Sequence, residues 1–507
     1  MFAMILAFSY SASARTTALD SLLAVISQKY KLAGMSVTVT RDSTIVFSQG
    51  YGFRDIARQL PVEQHTKYRI ASISKLITAT ALMQLYEQGL FALDDNVSQY
   101  LDFDLKNPAN AAQPITFKML LSHTSSLRDG SGYDLFLSDS YSKTPPPAIR
   151  KLLVSGGAYY TSDMFDVTRT PDKKYFHYAN INFGVLGTLV ERISGERFDR
   201  YCKKHIFDLL GMISSFNVRD LPDINDVAVL YRKSGSTWTP QADQYNGSYP
   251  AERDLSGYTI GDNGIIFAPQ GGLRTSSNDL AKFMIAHQQG GRFQQARILN
   301  DTTIVRMHEI IWKYNGTNGD NYYGIFNSYA LGNHTTTNLL PGQKLIGHPG
   351  EAYGLISDLY FSKEGNYGII FITNGGSWGS GSYSGWYNIE EDVFKTCLAQ
   401  LPALIVSVGR NSDATFNCQL AQNYPNPFNP STTISYHLPR ATHVRLTIYS
   451  MKGEEVKRLV HEYQTSGMKS VRWDGLNEAG QMASSGIYIY QISTDKFSSS
   501  KKLLLLR

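Results

Sequence analysis

Residues 421–433, AQNYPNPFNPSTT, divide the chain. Three prolines within these 13 residues remove backbone donors and push the residues before them toward extended structure, so no helix crosses this stretch. It reads as a linker or an extended lead-in. The residues before it must fold apart from those after it. A chain of 507 residues is in any case too long for one ordinary core. After the break come short alternating runs, TTISYHL, HVRLTIYSM, GMKSVRWDG, GIYIYQIST and KKLLLLR, with turn residues between them. That pattern predicts a small β-sandwich.

Before the break, from about residue 16 to 400, helical and strand patterns alternate. MSVTVTRDSTIVFSQGYG has period two around a polar turn at Arg41-Asp42-Ser43, a hairpin. A helix begins after Ser72 and stops near Gly89. NFGVLGTLVERISG, DRYCKKHIFDLLGM and NIEEDVFKTCLAQL read as helices, and ITFKMLLSHTSSL as a short helix entering a loop. Another helix begins after GGLRTSS, with Ser277 or Asn278 as its cap. GLISDLYFS and YGIIFITNGG read as buried strands, and residues 129–175 as irregular or weakly helical. Strands at both ends with helices between predict an α+β domain whose sheet is assembled from its two ends.

Charge excludes one class of function. The last 89 residues carry all of the net charge of +5, and the first 418 balance to zero. A neutral body does not suggest nucleic acid as a partner. Cys202, Cys397 and Cys418 form no C-x-x-C, and whether Cys397 and Cys418 pair stays open. The N-terminus, MFAMILAFSYSASA, is a short apolar run ending in a small-x-small pattern, and residues 1–14 are expected to be a signal peptide. No later segment is apolar for the ~18 residues that a membrane-spanning helix needs.

The chemistry centres on IASISK, residues 70–75. A first helical turn prefers acidic residues, because the dipole is positive there. A capping box on Ser72 would place Glu or Gln at 75, where this chain has Lys75. Residues three apart share a helix face, so the Ser72 hydroxyl and the Lys75 amine can meet. Apolar neighbours (Ile73, Leu76, Ile77) and the dipole disfavour the charged amine, and a lysine of lowered pKa can act as a base or proton relay for a serine nucleophile. Alone, S-x-x-K is a weak signal.

Two further patterns strengthen it. FHYANINFG places Tyr178 and Asn180 two apart before a helix, and IGHPGEAYG places His348, Pro349 and Gly350 at a strand. The order S-x-x-K, Y-x-N, [KH]-x-G resembles the serine β-lactamase and penicillin-binding superfamily. The closest likeness is to the branch of class C β-lactamases, DD-carboxypeptidases, D-aminopeptidases and related esterases. The resemblance covers roughly residues 16 to 400. It implies an antiparallel sheet flanked by helices, a largely helical subdomain, and a cleft between them. It further implies Ser72 as the acylated nucleophile and Lys75 as its proton relay. Tyr178 would be the base toward Ser72 or the acid toward the leaving group, with Lys75 supplying the cation its phenol needs. Asn180 would bind the acyl amide, and the N–H groups of Ser72 and Glu351 would form the oxyanion hole.

This chain departs from the pattern at His348-Pro349-Gly350, where β-lactamases of the branch usually have Lys-Thr-Gly. A histidine is mostly neutral at pH 7 and proline has no hydroxyl. Efficient β-lactam hydrolysis is therefore disfavoured. A DD-peptidase using His348 when protonated, a D-aminopeptidase or an esterase remain. If the substrate is an anion, a steep pH response through His348 is expected. Ser126 stands where the pattern has glycine, and His123 reads as a structural loop histidine. MHEIIW lacks the second histidine of a zinc helix, so no metal is implied, and the chemistry needs no cofactor. The tail, from NYPNPFNPSTTISYHLP to KKLLLLR, resembles the C-terminal sorting domain of type IX secretion cargo. That resemblance implies periplasmic transit, then release or attachment at the cell surface. The expected organisation is a signal peptide (1–14), a hydrolase domain (15–402), a linker (403–421) and a sorting sandwich of immunoglobulin-like type (422–507). Its partners would be a small-molecule or peptide substrate, peptidoglycan-derived ones among them, and the type IX machinery. The alternatives are a non-catalytic surface adhesion module and a slow penicillin-binding regulator that kept the fold.

Overall fold

The computed structural model describes residues 18–410 and 419–506, apart from 424, 439–440, 466 and 495–496. The expected signal peptide and Cys418 lie outside the described residues. Two compact units meet between Ile405 and Val406.

The first unit is built on seven strands: β1 (Gly34–Arg41), β2 (Thr44–Asp55), β3 (Leu60–Pro61), β4 (His334–Thr336), β5 (Leu345–Ala352), β6 (Leu355–Ser362) and β7 (Tyr367–Thr373). Their order is β4-β5-β6-β7-β1-β2-β3, with every neighbouring pair antiparallel. The two ends of the domain thus meet in mid-sheet, where Val37 faces Phe371. The β1–β2 turn is Asp42-Ser43, both at positive φ (+49° and +63°), which matches the twist of the flanking strands.

Side-chain alternation sorts this sheet into two buried faces. Val37, Val39, Ile369 and Phe371 pack with Leu19, Leu23 and Ile26 of helix α1 (Ala18–Lys29), and with the start of a long C-terminal helix. Ile370, Ile372, Leu359 and Phe361 face the larger core on the other side. There lie helices α2 (Ser74–Glu87), α3 (Asn180–Ser194) and α4 (Ser277–Gln288). Strands covered on both faces read as continuous apolar runs, as GIIFIT does. In α2 every residue from Ser74 to Leu85 is buried, so this is the central helix of the domain and not an amphipathic surface one. The cap of α4 is Ser276, whose hydroxyl accepts from Asp279 N at 3.1 Å, one residue before the expected position. Short helices at 117–121, 133–142, 150–153 and 198–202 extend the same core into a helical subdomain.

The helix beginning at Asn388 was expected to stop at Leu401. It runs through Pro402 to Arg410, inside the expected linker. A single proline removes one donor, and the apolar residues after it are all compatible with a helix. Among the described residues no helix is long and apolar enough to cross a membrane.

The second unit is all-β. A three-stranded sheet (419–420, 432–438, 467–473) accompanies a four-stranded one in the order 455–464, 442–450, 486–494, 497–505. Ile434, Leu446, Ile448, Trp473, Tyr490 and Leu503 form its core. The proline-rich lead-in belongs to this sandwich. Phe428 is buried and its N–H donates to Leu504 O at 3.0 Å. Asn423 Nδ2 donates to Pro425 O (3.1 Å) and Thr432 Oγ1 (2.9 Å).

Candidate active site

Ser72 sits in a 3₁₀ turn, Ala71–Ile73, that leads into α2. Ala71 is held at φ +47°, a region that residues with a Cβ rarely adopt, so the turn is locally strained just before Ser72. Lys75 lies one turn on and is completely buried. Its Nζ is 3.1 Å from Ser72 Oγ, 2.9 Å from Asn180 Oδ1 and 2.8 Å from Gln270 O. Burial lowers its pKa to about 7, against the opposing pull of the Asp129 carboxylate. The lysine that is the wrong choice for a cap is therefore an amine poised to exchange protons near neutrality.

Asp129 was not anticipated from sequence. It caps α3 from outside: Oδ1 accepts from Ile181 N (2.8 Å), and Oδ2 from Asn180 N and Nδ2 (both 2.9 Å). A carboxylate at a helix N-terminus is favoured by the dipole. The sequence offered no local signal, because cap and helix are 51 residues apart. Asn180 was expected to bind a substrate amide. Its Oδ1 accepts from Lys75 Nζ at 2.9 Å and its Nδ2 donates to Asp129 Oδ2 at 2.9 Å.

Tyr178 precedes α3, and its OH lies 3.5 Å from His348 Nε2. Burial drives its phenol far above the usual tyrosine range, and the Ser72 hydroxyl only partly offsets the rise. Lys75 Nζ lies over the Tyr178 ring, 4.9 Å from its centroid. The ring stacks on Phe326 at 5.1 Å and packs against His123 at 4.4 Å.

Strand β5 closes the other side. Strand β4 pairs with it only as far as Gly347, so beyond that residue its edge is open. The β5–β6 loop is Tyr353-Gly354, both at positive φ (+57° and +87°), a two-residue turn that closes on the hydrogen-bonded pair Ala352–Leu355. By alternation, residues 348, 350 and 352 bond to β6 while 349 and 351 turn toward the open edge. Pro349 therefore forfeits no ladder bond, and the Glu351 N–H turns away from β6. The Glu351 carboxylate accepts from Tyr387 OH at 3.2 Å. At Gly350 a Cβ would lie 2.6 Å from Ile70 O and 3.2 Å from Ser72 N, so only glycine lets the strand press against the serine turn.

His348 lies on the same strand, beside Tyr178. It is buried; Nδ1 donates to Pro349 O at 2.5 Å and Nε2 accepts from Tyr329 OH at 2.9 Å. Burial and the nearby Lys75 hold its pKa well below the ordinary value. That direction favours the neutral imidazole over the protonated one. Ser126 also gains a reason. It stands at φ +66°, the conformation glycine supplies without strain, and its Oγ accepts from Asn107 Nδ2 at 2.9 Å.

Residues 19–393 match the family model described as Beta-lactamase, and residues 429–497 match the FlgD Ig-like domain. The chain is 23% identical over 371 residues to Protein flp of Staphylococcus aureus (strain MRSA252), covering 70% of this chain and 62% of that one. It thus spans about three-fifths of the length of that curated relative. A penicillin-binding protein homologue from Pyrococcus abyssi, described as octameric, superposes with a TM-score of 0.56 at 20% identity over 95% of this chain and 99% of its own. D-amino acid amidase from Ochrobactrum anthropi SV3, complexed with L-phenylalanine amide, gives 0.55 at 19% over 76% and 100%. A family model that spans most of the chain, matched to a serine turn, a buried lysine and an open strand edge, places this protein in the Beta-lactamase family.

Proposed function

We propose that the protein is an exported serine hydrolase that forms an acyl-enzyme on Ser72. The observation that carries the reading is the Lys75 amine, wholly buried, with a pKa of about 7, and 3.1 Å from Ser72 Oγ. In its neutral form Lys75 takes the Ser72 proton as Oγ attacks the substrate carbonyl carbon. The carbonyl π electrons move onto oxygen, where the N–H groups of Ser72 and Glu351 stabilise them. Collapse expels the leaving group, which takes a proton through Tyr178. A phenol whose pKa is pushed upward keeps its proton, so Tyr178 serves as donor and relay, and Lys75 as base. Water then attacks the acyl carbon by the reverse proton path.

Amides of D-amino acids and small esters are the substrates this site favours. A neutral His348 and a hydroxyl-free Pro349 supply no cation for a substrate carboxylate. That weighs against penicillins and D-Ala-D-Ala peptides. The likeness to D-amino acid amidase supports the same choice. We further propose that the C-terminal sandwich is a type IX sorting domain, on the strength of its NYPNPFNP lead-in, and that the hydrolase acts outside the cell.

Time-resolved intact mass tests the reading. The chain is mixed in turn with a penicillin, p-nitrophenyl acetate and D-phenylalanine amide, beside Ser72→Ala. A transient Ser72-dependent acyl adduct and product release with the ester or amide are expected. Turnover that survives Ser72→Ala would refute the mechanism.

A further inference from the structure

We propose that His123 is the positioning residue for Tyr178, which deepens the hydrolase reading above and rests on it. The loop histidine grips the peptide groups on both sides of Tyr178. Its carbonyl accepts from His177 N at 2.9 Å, and its Nδ1 accepts from Ala179 N at 3.2 Å. Between these bonds its ring packs on the Tyr178 ring, with centroids 4.4 Å apart. His123 thus holds the backbone before and after Tyr178 and packs on its ring, while Phe326 stacks on that ring and Tyr322 OH donates to Tyr178 O at 3.1 Å.

The histidine is itself locked. Asn182 Nδ2 donates to the same Nδ1 at 3.1 Å, while Asn182 Oδ1 accepts from Ser125 Oγ at 2.6 Å. Two donors on Nδ1 place the ring proton on Nε2. Nε2 is buried and has no hydrogen-bond partner among the described residues. The ring meets Tyr329 edge-on at 5.0 Å and 78°, and Tyr329 OH in turn bonds His348. Leaving that buried N–H without a hydrogen bond costs stability. The fold accepts that loss at a residue with φ +56°, and the outcome is a fixed Tyr178. A filler of the same volume would need neither the Nδ1 acceptor nor the left-handed backbone. The chain reaches this arrangement by folding residues 56 apart against each other, so sequence spacing alone reads His123 as a loop detail.

The test uses the full chain and p-nitrophenyl acetate. At positive φ, His, Asn and Gly are all tolerated. His123→Gly keeps the carbonyl bond and removes the ring and the acceptor. His123→Asn keeps an acceptor where Nδ1 stood, whereas His123→Gln carries its amide beyond that point. Misplacing a group by an ångström costs on the order of 100-fold, so His123→Gly is expected to lose about 30-fold or more in kcat with KM nearly unchanged. His123→Asn should recover most of that loss, and His123→Gln should not. Equal rates for Asn and Gln, or parental kcat in His123→Gly, overturn the proposal. If His123→Gly does not fold, the Asn and Gln pair decides. Ser72→Ala is run in parallel: activity that survives it sinks the hydrolase reading, whereas a Ser72-dependent rate indifferent to His123 sinks only the positioning role.

Discussion

Gly350→Ala probes the closest contact in the site. The added Cβ meets the Ser357 hydroxyl, and lies 2.6 Å from Ile70 O and 3.2 Å from Ser72 N. Ser357 Oγ can rotate, but it is holding Ile70 O at 2.9 Å and Gly350 O at 3.3 Å. Ile70 O is backbone at the entry to the strained turn, so it cannot swing aside as a side chain would. Overpacking of this kind costs about 1–3 kcal/mol. For a unit of this size, with an unfolding entropy of about 2.1 cal/mol/K per residue, that lowers Tm by roughly 1–4 °C. The rate should suffer more than the stability. The strand is expected to relieve the clash by retreating from the serine turn, which carries the Glu351 N–H away from the oxyanion position. Loss of one such donor costs about 100–1,000-fold, and a partial retreat about 10–100-fold. Calorimetry and p-nitrophenyl acetate hydrolysis read the two effects. Ser357→Ala added to Gly350→Ala should recover less than half of the lost rate, because the backbone contact remains. A Gly350→Ala protein with parental Tm and parental rate would refute the claim that this strand is pressed onto Ser72.

Three further outcomes are expected. The acylation rate should rise with pH through a limb near 7 as Lys75 loses its proton, and Asp129→Asn should move that limb to lower pH, because the carboxylate raises the Lys75 pKa; an unmoved limb in stopped-flow acylation would assign it to another group. Asp358, paired with Pro349 across β5 and β6, is buried beside Glu390, and burial raises the pKa of both carboxyls above the ordinary range. Both folded values lie above the unfolded ones, so the stability the pair contributes is fully present below the ordinary carboxylate range and is lost as pH rises above it; urea unfolding of Asp358→Asn should vary less with pH there, and an unchanged pH slope would contradict it. Ser126→Gly should cost little, since relief at φ +66° offsets the lost bond from Asn107, whereas Ser126→Ala keeps the strain and loses the acceptor, costing about 1–2 kcal/mol by denaturant titration.

Period and punctuation carried the architecture. Alternation around Asp42-Ser43 marked the first hairpin, Gly89 marked the stop of the helix after Ser72, and YGIIFITNGG marked a buried strand. Those signals are local, because the pleat and the helical turn repeat over two to four residues. The proline-rich stretch at 421–433 marked a change of architecture, although the division between the units falls earlier, between Ile405 and Val406, in a helix that runs through Pro402. Ser72, Lys75, Tyr178 and His348 could be singled out because each sits in a short motif. The groups that hold them could not. Asp129 caps a helix 51 residues away, His123 accepts from Ala179 N across 56 residues, and Gln270 reaches Lys75 across 195. The charge states were also tertiary. A lysine with a pKa of about 7 and a histidine kept neutral are consequences of burial, which depends on what packs around them. Sequence by itself determined which groups this protein can bring to chemistry. Only the tertiary structure decided their protonation, their partners and the open strand edge, because desolvation and long-range hydrogen bonds have no counterpart in the order of residues.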